Sequence, residues 1–199
     1  SESTTHWSVV DRAGWAVSTT TTLNDYFGNG AVVPGLGFLL NDEMDDFSAR
    51  PGTPNQYGLI GGEANRIEAG KRMLSSMMPT ILMPPGEART ARPWLVLGSP
   101  GGPAIITALL QTIVNVVDFD MELQAAVDAP RVHHQWLPDI LKMDRLAYPS
   151  DVLEALRSRG HTIEAQAPRG RVEAIRCDPG DEWLWGASDA RGRGAAAGD

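Results

Sequence analysis

The chain has 199 residues, 42% hydrophobic, with a formal charge of −8 at pH 7, and reads as one domain over 1–199 by the usual ~100–200 residues per domain. The acidic balance argues against nucleic acid or an anionic membrane surface as partner, since both call for clustered Lys and Arg. Cys177 is the one cysteine, so no intrachain disulfide can form, and no apolar run approaches the ~20 residues of a membrane span.

Trp7–Val10 and Ala16–Thr22 read as two β-strands joined by the turn Asp11-Arg12-Ala13-Gly14, with Trp7 and Val9 on one face and Ser8 and Val10 on the other. After a Gly- and Asn-rich stretch, Gly35–Leu40 predicts a short buried strand that runs into Asn41-Asp42-Glu43-Met44-Asp45-Asp46. Residues 49–65 lack periodicity, and a loop that long is usually functional or mobile. Trp94–Leu97 predicts a buried strand ending at Gly98-Ser99-Pro100-Gly101-Gly102. A helix is expected over Pro103–Val117, with Ile106, Leu109, Leu110, Ile113 and Val117 at helical spacing. Met121–Ala129 predicts a second helix, and Ser150 is placed to cap a third over Asp151–Arg159, closed by Gly160. His161–Ala165, Val172–Arg176 and Trp183–Trp185 alternate like antiparallel strands, and 191–199 reads as a flexible tail. Strands first, helices in the middle and strands last predict an α+β domain.

No Met precedes Thr4-Thr5-His6-Trp7-Ser8-Val9-Val10-Asp11, so the chain is expected to be a processing product or a fragment. A hydroxyl residue freed at a new N-terminus carries a nucleophile and a base together, because its α-amine, titrating near pH ~7.7–8.0, can take the side chain's proton. The same segment also serves as a plain first strand. Gly101-Gly102, between a strand and a helix, fits either ordinary turn geometry or backbone amides aimed at an anion or oxyanion, and it fails the phosphate-loop template, which ends in Gly-Lys-Ser/Thr. The acids Glu43, Asp45 and Asp46 are a solvated loop or a cation site. The alternating Ca²⁺-loop pattern is missing, which ranks a substrate ammonium above a metal. Ser75 and Ser76, following Lys71 and Arg72, form a turn or offer hydroxyls to a carboxylate. His133 and His134 lack a third ligand at zinc spacing.

In chain order, TTHWSVVD, STTTTLN, LLNDEMDDFSARPGTPNQYGLIGG, KRMLSSMMPT, WLVLGSPGG and APRVHHQWLPD resemble the small subunit of γ-glutamyltranspeptidases, N-terminal-nucleophile hydrolases, with GASD as a weaker echo near the end. The resemblance implies a four-layer αββα sandwich completed by a large subunit cut from the same precursor. By the same resemblance Thr4 is the nucleophile, Thr22 bonds its hydroxyl, and Gly101 and Gly102 form the oxyanion hole. Asn24, Glu43 and Asp46 hold the donor's α-amine, Ser75 and Ser76 its α-carboxylate, and Tyr57 lies in the lid. Ser1–Ser3 then belong to the large subunit's end, with Ser1 as a minority candidate for the mature N-terminus.

The implied reaction is acyl transfer from glutathione or another γ-glutamyl amide to water or an amine, with no metal or organic cofactor. If like bacterial relatives, the protein is periplasmic or secreted. The alternatives are a glutaryl (cephalosporin) acylase of the same family and a catalytically silent subunit or binding module.

Overall fold

The computed structural model describes residues 3–86, 92–145, 147–166, 170–178, 180 and 182–198. Strands β1 (Thr5–Val10) and β2 (Ala16–Thr21) form an antiparallel hairpin that sets His6 opposite Thr20 and Ser8 opposite Ser18. A second sheet runs β3-β4-β8-β9, made of Thr80–Leu82, Leu95–Gly98, Glu173–Arg176 and Trp185–Ser188, with antiparallel neighbours throughout. A third joins β5 (Val132–His133), β6 (Leu141–Asp144) and β7 (Ile163–Gln166). Helices α1 (Ala104–Val117), α2 (Leu123–Asp128) and α3 (Ser150–Ser158) complete the described elements. The domain is α+β, as expected.

Strand β4 organises the layers. Side chains of a strand alternate between its faces, and Leu95 and Leu97 pack with Ile105, Ala108 and Leu109 of α1 and Val127 of α2 in the main core. Gly98 faces the hairpin instead, where a Cβ would lie 2.1 Å from His6 Cε1. The order is therefore helices, four-stranded sheet, hairpin: three of the four layers of an αββα sandwich.

The face that the hairpin turns to the sheet is polar. His6 Nδ1 lies 2.8 Å from Thr20 Oγ1 and its Nε2 3.0 Å from Ser8 Oγ. Ser18 Oγ donates to the Leu97 carbonyl at 3.0 Å and accepts from Thr80 N–H at 3.0 Å, stitching the hairpin to β4 and β3. Most buried polar groups are paired in this way. The apolar Trp7, Val9 and Val17 point outward and are exposed.

A buried charge network locks the other side. Arg131 and Asp189 pair at 2.8 Å with almost no exposure of either side chain. Asp189 also accepts from Val172 N–H and from the backbone and guanidinium of Arg191. Arg191 reaches Asp144 at 3.1 Å and donates to the carbonyls of Val127, Asp128 and Ala129, satisfying the acceptors that the end of α2 leaves unpaired. Arg191, expected to begin a flexible tail, is fixed at the junction of α2, β6 and β9.

Several local expectations are corrected. Residues 35–40 are not a buried strand: Val33 N–H bonds to the Phe38 carbonyl across an exposed turn, and Leu36 is 71% exposed. Helix α1 buries Ala104, Ile105, Ala108, Leu109, Thr112 and Val116, not the face of Ile106, Leu110 and Val117; with apolar residues nearly all round, its spacing alone does not choose the face. Ser150 is the first residue of α3 and makes no cap hydrogen bond, whereas Gly160 does close the helix, with its N–H on the Arg157 carbonyl. β7 pairs parallel to β6. β3, β5 and β6 were not expected from the sequence.

Two expectations follow for stability. Asp189→Ala leaves the buried Arg131 guanidinium without its carboxylate and Arg191 with Asp144 alone, and breaking a buried pair costs about 3–5 kcal/mol; denaturant titration of the purified protein measures this, and a loss below about 1 kcal/mol contradicts the network's role. Burial lowers the His6 pKa from 6.5 to about 4. The unfolded chain therefore takes up this proton first, and the contribution of neutral His6, complete above pH 6.5, is lost as pH falls towards 4. The stability margin of the wild type over His6→Gln should shrink between about pH 7 and about pH 4, and a margin independent of pH contradicts the assignment.

Candidate active site

Thr4 precedes β1 and is buried beneath the end of the hairpin. Its Oγ1 lies 2.8 Å from Thr22 Oγ1, just beyond β2 on the paired strand. The Thr22 oxygen also accepts the Asn24 N–H at 2.9 Å, which fixes its position. Asn24 is buried in the left-handed region, φ 70°, a conformation tolerated by Asn better than by most residues. Its side-chain oxygen and carbonyl accept from the Tyr57 hydroxyl at 2.9 and 3.3 Å. Ser3 Oγ also donates to the Asn24 carbonyl, at 3.2 Å. Ser1 lies outside the described residues.

The acidic turn docks against the same segment. Asp42 N–H bonds to the Leu23 carbonyl and Asp42 Oδ1 accepts from Asp25 N–H at 2.9 Å. The turn then winds through a short 3-10 helix, Glu43–Asp46, in which the Glu43 and Asp46 carboxyls hydrogen-bond to each other. Burial, the bond to Asp46 and the charges of Asp46 and Asp42 raise Glu43 to about 7, and burial raises Asp46 as well. Glu43 Oε1 and Asp45 Oδ2 are buried and lack hydrogen-bond partners among the described residues. Unpartnered carboxylate oxygens of this kind can accept hydrogen bonds from a cation.

Asn65 ties the acidic turn to the segment just before the serines. Its Nδ2 donates to the Asp46 carbonyl at 2.7 Å while its Oδ1 accepts from Leu74 N–H at 3.0 Å. Ser75 is exposed, with Oγ accepting from Met77 N–H at 3.2 Å, and Ser76 is half-buried. Asn65 was invisible in the sequence, as one more polar residue in an aperiodic loop.

Gly101 and Gly102 follow β4 three residues after the His6–Gly98 contact. Gly101 has φ 145°, and a Cβ there would sit 3.0 Å from Gly170 Cα. Neither glycine N–H donates to another described residue. Beneath them Ser99 Oγ donates to the Pro100 carbonyl and accepts from Arg171 N–H. His133 and His134 serve other partners: His133 faces Thr107 and Gln135, and His134 pairs with Asp139.

The structure thus brings Thr4, Thr22, Asn24 and Tyr57 into one hydrogen-bonded group. Asp42 docks the acidic turn on Leu23 and Asp25 next to that group, and Asn65 ties Asp46 to Leu74, the residue before Ser75. The glycine turn is linked to Thr4 through the hairpin–sheet seam.

Comparison with known proteins matches the whole chain, residues 1–199, to the gamma-glutamyltranspeptidase family model. A glutathione hydrolase proenzyme of Pseudomonas aeruginosa is 51% identical over 96% of this chain. The chain spans only 32% and 34% of the length of the first curated relatives it matches. Among solved structures, gamma-glutamyltranspeptidase from Pseudomonas nitroreducens complexed with L-DON is 49% identical with a TM-score of 0.88, covering 98% of this chain and 99% of that one. A cephalosporin acylase from Bacillus halodurans is more distant, 28% identical with a TM-score of 0.70 over 88% of this chain and 30% of that one. With the fold, the order of motifs and a family match along its full length in agreement, the chain belongs to the γ-glutamyltranspeptidase family.

Proposed function

We propose that this chain is the nucleophile-bearing subunit of an enzyme that transfers γ-glutamyl groups from glutathione or related amides to water or an amine. The observation that carries the reading is the buried Thr4 hydroxyl held at 2.8 Å by Thr22, whose own oxygen is fixed by the Asn24 N–H. In this reading a precursor is cut before Thr4, freeing its α-amine. The amine takes the hydroxyl proton as Oγ1 attacks the donor's γ-carbonyl, and the Gly101 and Gly102 amides stabilise the oxyanion, each such donor being worth about 10²–10³ in rate. The proton passes to the departing amine and leaves an ester on Thr4. Water or a second amine then attacks the ester and returns the threonine. Glu43 and Asp46 receive the donor ammonium, helped by Asn24, while Ser75 and Ser76 offer hydroxyls to its carboxylate, and Tyr57 covers the pocket.

The partner in this reading is the large subunit of the same precursor. The exposed apolar face of Trp7, Val9 and Val17 supports a covering partner, since large apolar patches on a surface mark interaction sites. The glutaryl acylase reading is weaker: a glutaryl donor has no α-amine, which leaves the paired acids facing methylene groups. A silent subunit would never mature, so N-terminal sequencing of the co-expressed chain tests that alternative.

Thr4→Ala should leave the full precursor both uncleaved and inactive, because one hydroxyl serves both reactions. A Thr4→Ala precursor that still splits at the same bond and hydrolyses a γ-glutamyl anilide would overturn the assignment. Thr22→Ala should be milder, removing one neutral hydrogen bond worth about 0.5–1.5 kcal/mol.

A matched pair of γ-glutamyl and glutaryl anilides tests the acidic turn. Their kcat/KM ratio should favour γ-glutamyl by at least about tenfold, the equivalent of about 1.4 kcal/mol. The ratio should also rise as pH passes about 7, where Glu43 gives up its proton and only an ammonium gains. Asp46→Ala should shrink the ratio mainly by impairing the γ-glutamyl substrate. A ratio near one in the wild type contradicts the amine subsite.

A further inference from the structure

The turn that carries Tyr57 is rigid within itself. Asn55 Oδ1 accepts from the N–H groups of Tyr57 and Leu59 at 3.0 Å each, Asn55 N–H bonds to the Leu59 carbonyl at 2.9 Å, and Pro54 bridges to Ile60. Such a turn moves as a unit, so its position is set by what grips it from outside. One grip is the Tyr57 hydroxyl on Asn24. Another comes from the segment that follows β5, where Gln135 Nε2 donates to the Tyr57 carbonyl at 3.4 Å and to the Leu137 carbonyl at 3.3 Å.

The carboxamide of Gln135 has one orientation available. With Nε2 turned to two carbonyls, Oε1 faces His133 Nε2 at 2.9 Å, and an acceptor there requires a proton on that ring nitrogen. The opposite nitrogen, Nδ1, lies 2.8 Å from Thr107 Oγ1 in the first turn of α1, five residues after Gly102. His133 is buried. A line of side-chain hydrogen bonds therefore runs from the helix behind the glycine turn, through His133 and Gln135, to the backbone of the Tyr57 turn.

We infer that Gln135 is a positioning residue that holds the Tyr57 turn down over the donor pocket, with His133 and Thr107 as its anchor on α1. The inference rests on the proposed γ-glutamyl reading. Gln135 contacts no proposed reacting atom. It acts on how well a bound donor is retained and leaves the chemistry at Thr4 to other groups.

The test uses the matured full-length protein with Gln135→Glu and Gln135→Leu. The Gln135→Glu change keeps the side-chain volume and the acceptor for His133 but turns an oxygen, not an amine, towards the two carbonyls. Both variants should quicken amide hydrogen exchange across residues 53–61 by about fivefold or more, the size of one lost neutral hydrogen bond, with exchange in β4 and α1 unchanged. KM for a γ-glutamyl anilide should rise about three- to tenfold, with a clearly smaller change in kcat. Wild-type exchange in 53–61 for both variants overturns the inference, as does a fall in kcat at unchanged KM, or quickened exchange at unchanged KM. A wild type without γ-glutamyl turnover defeats the functional reading instead, and the exchange measurement then decides by itself whether Gln135 holds the turn.

Discussion

The contact between the His6 ring and Gly98 is the constraint on which the site depends. His6 lies two residues after Thr4, and Gly98 three before Gly101, so this one approach of hairpin to sheet fixes the relation between the proposed nucleophile and the proposed oxyanion amides. It is possible only because Gly98 has no Cβ, which would lie 2.1 Å from the ring. Two packed sheets are usually held ~10 Å apart by interdigitating apolar side chains. Here an imidazole and the hydroxyls of Ser18 and Thr20 fill the interval, and directional bonds set the register where apolar packing alone would leave it looser.

That seam inverts the ordinary pattern of a two-layer β structure. The hairpin's polar side faces inward and its apolar side outward, so β1 and β2 contribute little to the core of this chain and offer a surface to a partner. The main core sits on the opposite side of the four-stranded sheet, under α1 and α2, and the Arg131–Asp189–Arg191–Asp144 network closes it. Arg131 Nη1 reaches the Gly170 carbonyl at 3.5 Å, and Gly170 lies directly against Gly101. The charge network thus supports the glycine turn from behind while the seam positions it from in front.

Much of this was legible in the sequence wherever a residue's type and position carried their own physics. The strand–glycine–helix passage from Trp94 to Val117 needs buried apolar residues, then a turn, then helical spacing, and it formed as expected. The acidic turn and the paired serines read by themselves equally as solvated loop and ordinary turn, and only the resemblance of the motifs around them gave them site roles. The buried face of α1 was misread because the helix is apolar nearly all round: Ile105, Leu109 and Val116 face the core with Ala104, Ala108 and Thr112, while Ile106, Leu110 and Val117 are exposed. Asn65, Gln135 and Arg191 were missed for a common reason: each acts through hydrogen bonds to backbone or to residues distant in sequence, and no local pattern encodes a long-range partner. Tail composition alone could not show that Arg191 caps α2.

The most direct test of the account is the structure of the matured protein trapped with an electrophilic analogue of a γ-glutamyl donor. The account predicts a covalent bond to Thr4 Oγ1, the former carbonyl oxygen within about 3 Å of the Gly101 and Gly102 amides, and the ammonium against Glu43 and Asp46. An adduct on another residue, or one on Thr4 whose oxygen points away from the glycine turn, would contradict it.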